Sequence, residues 1–373
     1  MNIKINGSSR ELFDEVIEAG LCSFCGACSG ACPYLVPWKG KIRLLDNCTL
    51  TEGQCYQYCP RTYVDMDALS ASIFGVPYPE NELGVVKKIL IARSTDVQIR
   101  ERAQNGGIVT TLLAMALEEG LLDGVILSKM ADDKSPSATL AQNREEILEC
   151  AGSSYMACPV LETLNRRCGD SEMPLGIAAL PCQTLALAKM KNRPSENWNN
   201  KGNVKLVIGL FCTWALSPDE FNTFLKEETD LKQVIKFDIP PPPAESFDIY
   251  TYDEKFSIPL GRIREFIMPS CALCHDMTSE FADVSVGSSE GSEGWNTVIV
   301  RTDAGAELME IALSKGKIET DDISAPSLDH LKGSALLKKK RALKGIIQRS
   351  GGRSNLLYLG LRAELVENLL VQS

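Results

Sequence analysis

The chain has 373 residues, 44% hydrophobic and 24% charged, with a formal net charge of −10 and 14 cysteines. That length suits two or three domains with a sizeable core, and the acidic balance argues against non-specific nucleic-acid binding. No apolar run of about 18 residues occurs, so no transmembrane segment is expected. A polar start and many cysteines point to a reducing, cytoplasmic compartment and to metal ligation in place of disulfides.

Residues 10–20 have an amphipathic helical pattern, with Leu12, Val16 and Ile17 on one face and Gly20 as a stop. Residues 22–33 follow directly and read C-x2-C-x2-C-x3-C-P, the run that holds iron–sulfur clusters in bacterial ferredoxins. Gly26, Ala27 and Ser29 are small enough to let the backbone wrap a bulky inorganic core. A zinc knuckle or a disulfide framework is the alternative use of such spacing. A looser run follows, Cys48-x6-Cys55-x3-Cys59-Pro60. In two-cluster ferredoxins the last cysteine of each run ligates the other cluster. On that logic Cys22, Cys25, Cys28 and Cys59 complete one set, and Cys32, Cys48 and Cys55 are left one ligand short. A second cluster with a non-cysteine ligand, a three-iron cluster and plain buried thiols all stay open for these three.

Residues 76–86 carry Pro77 and Pro79 and read as a linker. An α/β pattern then begins with a strand at 87–94, a Gly106-Gly107 pair opening a helix that ends at Gly120, and a strand at 123–130. A glycine pair between strand and helix presents backbone N–H groups to a phosphate, although a tight turn needs the same residues. A helix at 158–167, a strand at 175–182 and a helix from Gln183 follow. The almost unbroken apolar run 204–212 reads as a strand covered on both faces. Ser217-Pro218-Asp219-Glu220 then opens a helix with a capping box. The alternation predicts an α/β core with a mostly parallel sheet, interrupted by the prolines at 240–243.

Cys182 and Cys212 each close a predicted strand, where parallel sheets place their ligand-handling residues. With the C-x2-C pair Cys271 and Cys274 they make four candidate metal ligands; structural core cysteines with a small zinc or free-thiol loop is the alternative. His275 reads as a neighbour of that set, and Cys150, Cys158 and Cys168 as packing residues. Residues 282–301 form two strand-like runs around a glycine-rich loop with Trp295, suited to a flat cofactor or to an ordinary hairpin. A helix at 305–315 precedes a helical, basic tail containing Lys338, Lys339, Lys340, Arg341 and Lys344, which reads as a solvated face or a docking surface.

Several stretches together resemble the beta subunits of coenzyme F420-reducing hydrogenase and their relatives in F420-dependent formate dehydrogenase, F420H2 dehydrogenase and 7-hydroxymethyl chlorophyll a reductase. They are I-R-E-R-A-Q-N-G-G-I-V-T-T-L-L (99–113), A-G-S-S-Y (151–155), L-P-C-Q (180–183), G-L-F-C (209–212), P-S-C-A-L-C-H-D (269–276) and the run 284–302. The resemblance implies a ferredoxin-like iron–sulfur domain (1–75), an α/β domain binding FAD and a 4Fe–4S cluster (85–315) and a helical C-terminal segment (316–373). It implies that Asn105, Gly106, Gly107, Thr110, Ser153 and Ser154 contact FAD, with the loop from Gly287 to Gly294 and Trp295 near the flavin. Two 4Fe–4S clusters are expected, and a third if Cys32, Cys48 and Cys55 find a fourth ligand. The implied activity is hydride exchange between F420 and FAD, then single-electron transfer to partner subunits or ferredoxin, with no protein nucleophile and membrane contact only through a partner complex. The same frame acting on another organic substrate, or serving as a non-catalytic relay, are the competing readings.

Overall fold

The computed structural model describes residues 6–167, 173–192, 203–241 and 243–371. Its centre is an eight-stranded sheet in the order Ile318–Asp321, Lys88–Ser94, Asn296–Val300, Val284–Ser288, Val204–Leu210, Leu175–Ala179, Gly124–Met130, Pro136–Ala141. The four strands from Val284–Ser288 to Gly124–Met130 pair in parallel, and antiparallel strands flank them on both sides. Leu175–Ala179 is buried at every position, as a strand with both faces covered requires. The helix Ile108–Glu118 covers one face with Ile108, Leu112 and Met115, and the helices Val160–Arg167 and Pro181–Asn192 cover the other.

Most elements expected from hydrophobic periodicity form, with trimmed ends. The strand expected at 175–182 ends at Ala179, since Pro181 already starts the next helix. Ser217 does cap Pro218–Glu228 in position, but its side chain makes no capping hydrogen bond, so the expected capping box is absent. A three-stranded antiparallel sheet, Val234–Asp238, Ser246–Thr251 and Lys255–Pro259, was not legible as such. It has its own aromatic core of Phe221, Phe237 and Phe247, and Pro240, Pro241 and Pro243 lie between its first two strands, Pro242 being outside the described residues.

The N-terminal segment packs on the C-terminal tail. Leu12, Leu35, Ile42 and Met66 share one apolar cluster with Leu343, Ile346, Tyr358 and Leu365, and Leu359–Gly360 pairs in parallel with Val64–Asp65. The supposed linker at 76–86 is a pinned strap: Tyr78 and Leu83 are buried, and Arg301 donates to the carbonyls of Leu83 (2.7 Å) and Val85 (2.8 Å). The basic run also departs from expectation. On the helix Ala325–Ser350, Lys338 and Lys339 are buried, while Arg341 and Lys344 stay exposed.

Candidate functional site

Cys22, Cys25, Cys28 and Cys59 wall a single cavity with Leu12, Val16 and Ile42 behind them. The first three come from one tight loop; Cys59 ends the short helix Gln54–Tyr58. Burial pushes the Cys22 thiol up to about 12, and burial plus the neighbouring thiols push Cys25 and Cys28 well above the ordinary value. Four desolvated thiols facing one another resist ionising together unless a metal centre takes all four as thiolates. Backbone N–H groups already point at two of the sulfurs, Phe24 at Cys22 Sγ and Arg61 at Cys59 Sγ, each at 3.4 Å. Such donors stabilise ligated sulfur.

Gly26 also meets a constraint from a neighbouring helix. Its φ is +89°, and a Cβ there would lie 2.6 Å from the backbone of Pro159 and Glu162. It is glycine because the loop lies against the start of the helix Val160–Arg167, whose Asn165 fastens the loop through the carbonyls of Ala27 (3.2 Å) and Ser29 (2.6 Å). Cys32 and Cys48 lie close enough to Cys55 to raise its thiol after burial has done so, to about 12, and Leu50 N–H donates to Cys48 Sγ at 3.4 Å. These three therefore gather beside the first set without lining its cavity.

The carboxyl edge of the sheet carries the second set. Cys182 sits in the first turn of Pro181–Asn192, Cys212 lies two residues past the end of Val204–Leu210, and Cys271 and Cys274 lie on and after the 3-10 turn Pro269–Leu273. All four line one cavity with Ser23, Gln183, Arg61 and Lys338. Ser23 lines both cavities, so the two cysteine sets are neighbours. Burial pushes Cys182 up to about 12. At Cys274 burial also acts upward, but the charges of Lys338 and Arg61 outweigh it and hold the thiol below its ordinary value. Ala215 N–H donates to Cys271 Sγ at 3.4 Å, and Lys338 donates to the Cys212 carbonyl. Among the described residues no three His, Cys, Asp or Glu side chains are grouped to hold a single metal ion.

Of the remaining candidates, His275 is buried edge-on to Tyr78 and outside the cavity lining, with both ring nitrogens lacking a hydrogen-bond partner among the described residues. Cys158 reaches the cavity wall, its carbonyl accepting from Gln183 Nε2 at 2.8 Å. Cys150 is partly buried against the apolar cluster that holds Leu112 and Met115, and Cys168 lies outside the described residues.

The glycine pair occupies the same edge of the sheet. Gly107, at φ +77°, starts the helix Ile108–Glu118, and Gly106 passes so close to the hairpin that a Cβ would lie 2.9 Å from Asn296 Oδ1. Asn296 then takes two contacts that tie the turn to the glycine-rich loop: its Oδ1 accepts from Ile108 N–H (3.2 Å) and its Nδ2 donates to Gly287 O (3.0 Å). Asn105 Nδ2 donates to Ser288 Oγ at 2.8 Å, and Thr110 is buried one turn in. Gly294 is exposed at the loop tip, while Trp295 lies under the Arg93 guanidinium, 4.6 Å from ring centre. The loop bearing Ser153 and Ser154 approaches the end of the helix Val97–Arg102, which precedes the turn, through Gly152, whose Cβ would sit 3.9 Å from Arg102 O. Arg262 pairs with Glu228 at 2.8 Å and covers Phe224.

Sequence reasoning missed Arg61, Lys338 and Asn296. Arg61 had a local signal, its place two residues after Cys59; Lys338 was hidden in a charged run, and Asn296 in a strand.

Comparison with known proteins gives this arrangement its context. Residues 89–165 match the N-terminal half of the family described as coenzyme F420 hydrogenase/dehydrogenase, beta subunit, and residues 173–326 match the C-terminal half of the same family. The chain is 34% identical over 275 residues to the coenzyme F420 hydrogenase subunit beta of Methanothermobacter thermautotrophicus, covering 72% of this chain and 96% of that protein. It is 31% identical over 327 residues to the coenzyme F420-dependent sulfite reductase of Methanocaldococcus jannaschii, covering 83% of this chain and 49% of that protein. A chain of the F420-reducing NiFe hydrogenase complex from Methanosarcina barkeri superposes with a TM-score of 0.68 at 31% identity, over 74% of this chain and 96% of that one. With two matched halves of one family and a relative 34% identical over 96% of that relative's length, the chain belongs to the coenzyme F420 hydrogenase/dehydrogenase beta subunit family.

Proposed function

We propose that this protein is an FAD- and iron–sulfur-containing oxidoreductase that exchanges hydride with coenzyme F420 and passes single electrons to a partner. The observation that carries the reading is the pair of four-cysteine cavities sharing Ser23. In each, four thiols wall a common space, the number of thiolates that a 4Fe–4S centre takes. Cys22, Cys25, Cys28 and Cys59 would hold one cluster in a ferredoxin-like module, and Cys182, Cys212, Cys271 and Cys274 another. Cys32, Cys48 and Cys55 would hold a third centre with a fourth ligand from outside the cysteines.

The flavin would lie against the Gly106-Gly107 turn, within reach of Asn105, Thr110, Ser153, Ser154, Gly287, Gly294 and Trp295. FAD supplies the conversion between a two-electron donor and one-electron acceptors. The chain's own work is placement. Asn296 fixes the turn against the hairpin, close backbone approach at Gly106 keeps side chains out, and the sheet edge brings the turn and Cys212 to the same side. No side chain here acts as a nucleophile.

The relatives favour a partner-coupled role. One is a subunit within a hydrogenase complex, and in the sulfite reductase the similar part is half of a longer chain. Anaerobic purification with iron, acid-labile sulfide and flavin counts, followed by F420H2 addition, tests the reading. Flavin bleaching by F420H2 and viologen reduction are expected. Full cofactor content with no bleaching would sink the F420 assignment, and reduction by ferredoxin alone would move the protein to another substrate.

A further inference from the structure

Two buried cations flank the central cysteine set, and neither stands on an element that carries those cysteines. Lys338 reaches in from the helix Ala325–Ser350, is 4% exposed, and donates to the Cys212 carbonyl. Arg61 comes from the N-terminal segment and is 5% exposed. Its guanidinium donates to Ser270 O at 3.3 Å and Leu273 O at 3.5 Å, donates to the Tyr358 hydroxyl, and stacks on the Tyr358 ring at 4.6 Å.

Neither cation has a carboxylate ion-pair partner among the described residues; their hydrogen bonds go to carbonyls, a phenol and, from Arg61, the Cys274 side chain, one of the four proposed ligands. The described lining of the cavity contains no carboxylate either. Asp276, an acid that Lys338 senses, spends its oxygens on the N–H groups of Thr278 and Glu280, each at 2.9 Å. Burying two positive charges without a counter-charge is strongly unfavourable, so the arrangement calls for an anionic occupant between them. A cluster held by four thiolates carries net negative charge and becomes more negative on reduction.

We propose that Lys338 and Arg61 are the counter-charge that sets the reduction potential of the centre held by Cys182, Cys212, Cys271 and Cys274. The inference rests on the reading of those four residues as cluster ligands. Positive charge beside the centre stabilises its reduced form and raises its potential. The two cations differ in reach. Lys338 lines the central cavity and its charge acts on Cys212, Cys271 and Cys274, whereas the Arg61 guanidinium lines the same cavity and its charge also acts on Cys22 and Cys59 of the N-terminal set. Removing Lys338 therefore affects one centre, and removing Arg61 affects both.

The test is an EPR-monitored redox titration of the full-length, anaerobically prepared holoprotein, with the central signal identified by its loss in Cys271→Ala. Lys338→Gln, which can still donate to the Cys212 carbonyl, is expected to lower the equilibrium constant for reducing the central centre about tenfold, or about 59 mV for a one-electron couple. The N-terminal midpoint stays put in that variant. Lys338→Arg keeps the wild-type midpoint, and Arg61→Gln lowers both. Equal midpoints for Lys338→Gln and Lys338→Arg, with iron and sulfide intact, overturn the proposal. If Lys338→Gln loses the central iron while Lys338→Arg retains it, the need for charge is supported; loss in both overturns it. Wild-type protein without iron at the central cysteines would instead fail the cluster reading, before any variant is compared.

Discussion

Lys339 donates to the Tyr78 phenol at 2.7 Å and pairs with Glu280, so one lysine of the C-terminal helix ties the 76–86 strap to the segment after Cys274. Lys339 and Glu280 are 1% and 2% exposed. Breaking a buried pair by removing one partner leaves the other charge uncompensated, at about 3–5 kcal/mol. Lys339→Met should therefore lower the midpoint of anaerobic urea unfolding strongly. Adding Glu280→Gln should recover much of the loss, because the stranded charge is gone. A Lys339→Met protein as stable as wild type would show that the strap is held by other contacts.

Gly287 is required by a neighbour. A Cβ there would lie 1.9 Å from Phe211 Cδ2, and Phe211 immediately precedes Cys212. Gly287→Ala should displace the ring and with it the Cys212 backbone, costing about 1–3 kcal/mol in overpacking. The readout is a lowered thermal midpoint together with reduced iron content. Phe211→Ala in the same chain should restore part of the iron content, since it removes Cγ, Cδ2 and Cε2, the three atoms at the point of collision.

The glycine-rich hairpin should hold flavin only while Asn296 holds it. That side chain satisfies an N-terminal N–H of the helix Ile108–Glu118 and the carbonyl of Gly287 in one step. Loss of a capping side chain costs about 0.5–2 kcal/mol, so Asn296→Ala should fold with a modest drop in stability. Flavin content after gel filtration should fall more steeply than thermal stability does. Unchanged flavin retention would place the cofactor away from this turn.

How much of this was legible depended on sequence distance. Ligand spacing is a local property, so the loop holding Cys22, Cys25 and Cys28 could be read directly, and the apolar runs put Cys182 and Cys212 near the carboxyl ends of strands, although the strands end at Ala179 and Leu210. The pairing of Asn296 with Ile108 spans 188 residues, and no local pattern announces it. Lys338 and Lys339 defeated the reading for another reason. Charged runs on helices are expected to face water, and here two adjacent lysines are buried against different partners, Cys212 and Glu280. The strap at 76–86 looked like a linker because its prolines were visible and the Arg301 contacts to its carbonyls were not. Functional sites are where local rules are broken, and these are the places where the sequence misled.

The cysteines can be sorted by counting iron. Each complete four-thiolate set should account for about four iron atoms. Cys212→Ala should remove about that number without disturbing the N-terminal signal, because its partners come from the sheet edge and the 269–276 loop. Cys59→Ala should empty the other cavity, since its thiolate closes the ring with Cys22, Cys25 and Cys28. Cys158→Ala should leave the iron count at the wild-type value, although Cys158 reaches the central wall, because four thiols are already present there. Cys55→Ala decides the third centre: Cys32 and Cys48 stand near it, and a loss of iron confined to this variant would show that the three leftover cysteines hold metal of their own. Iron lost in Cys158→Ala and retained in Cys212→Ala would reverse the ligand assignment at the sheet edge.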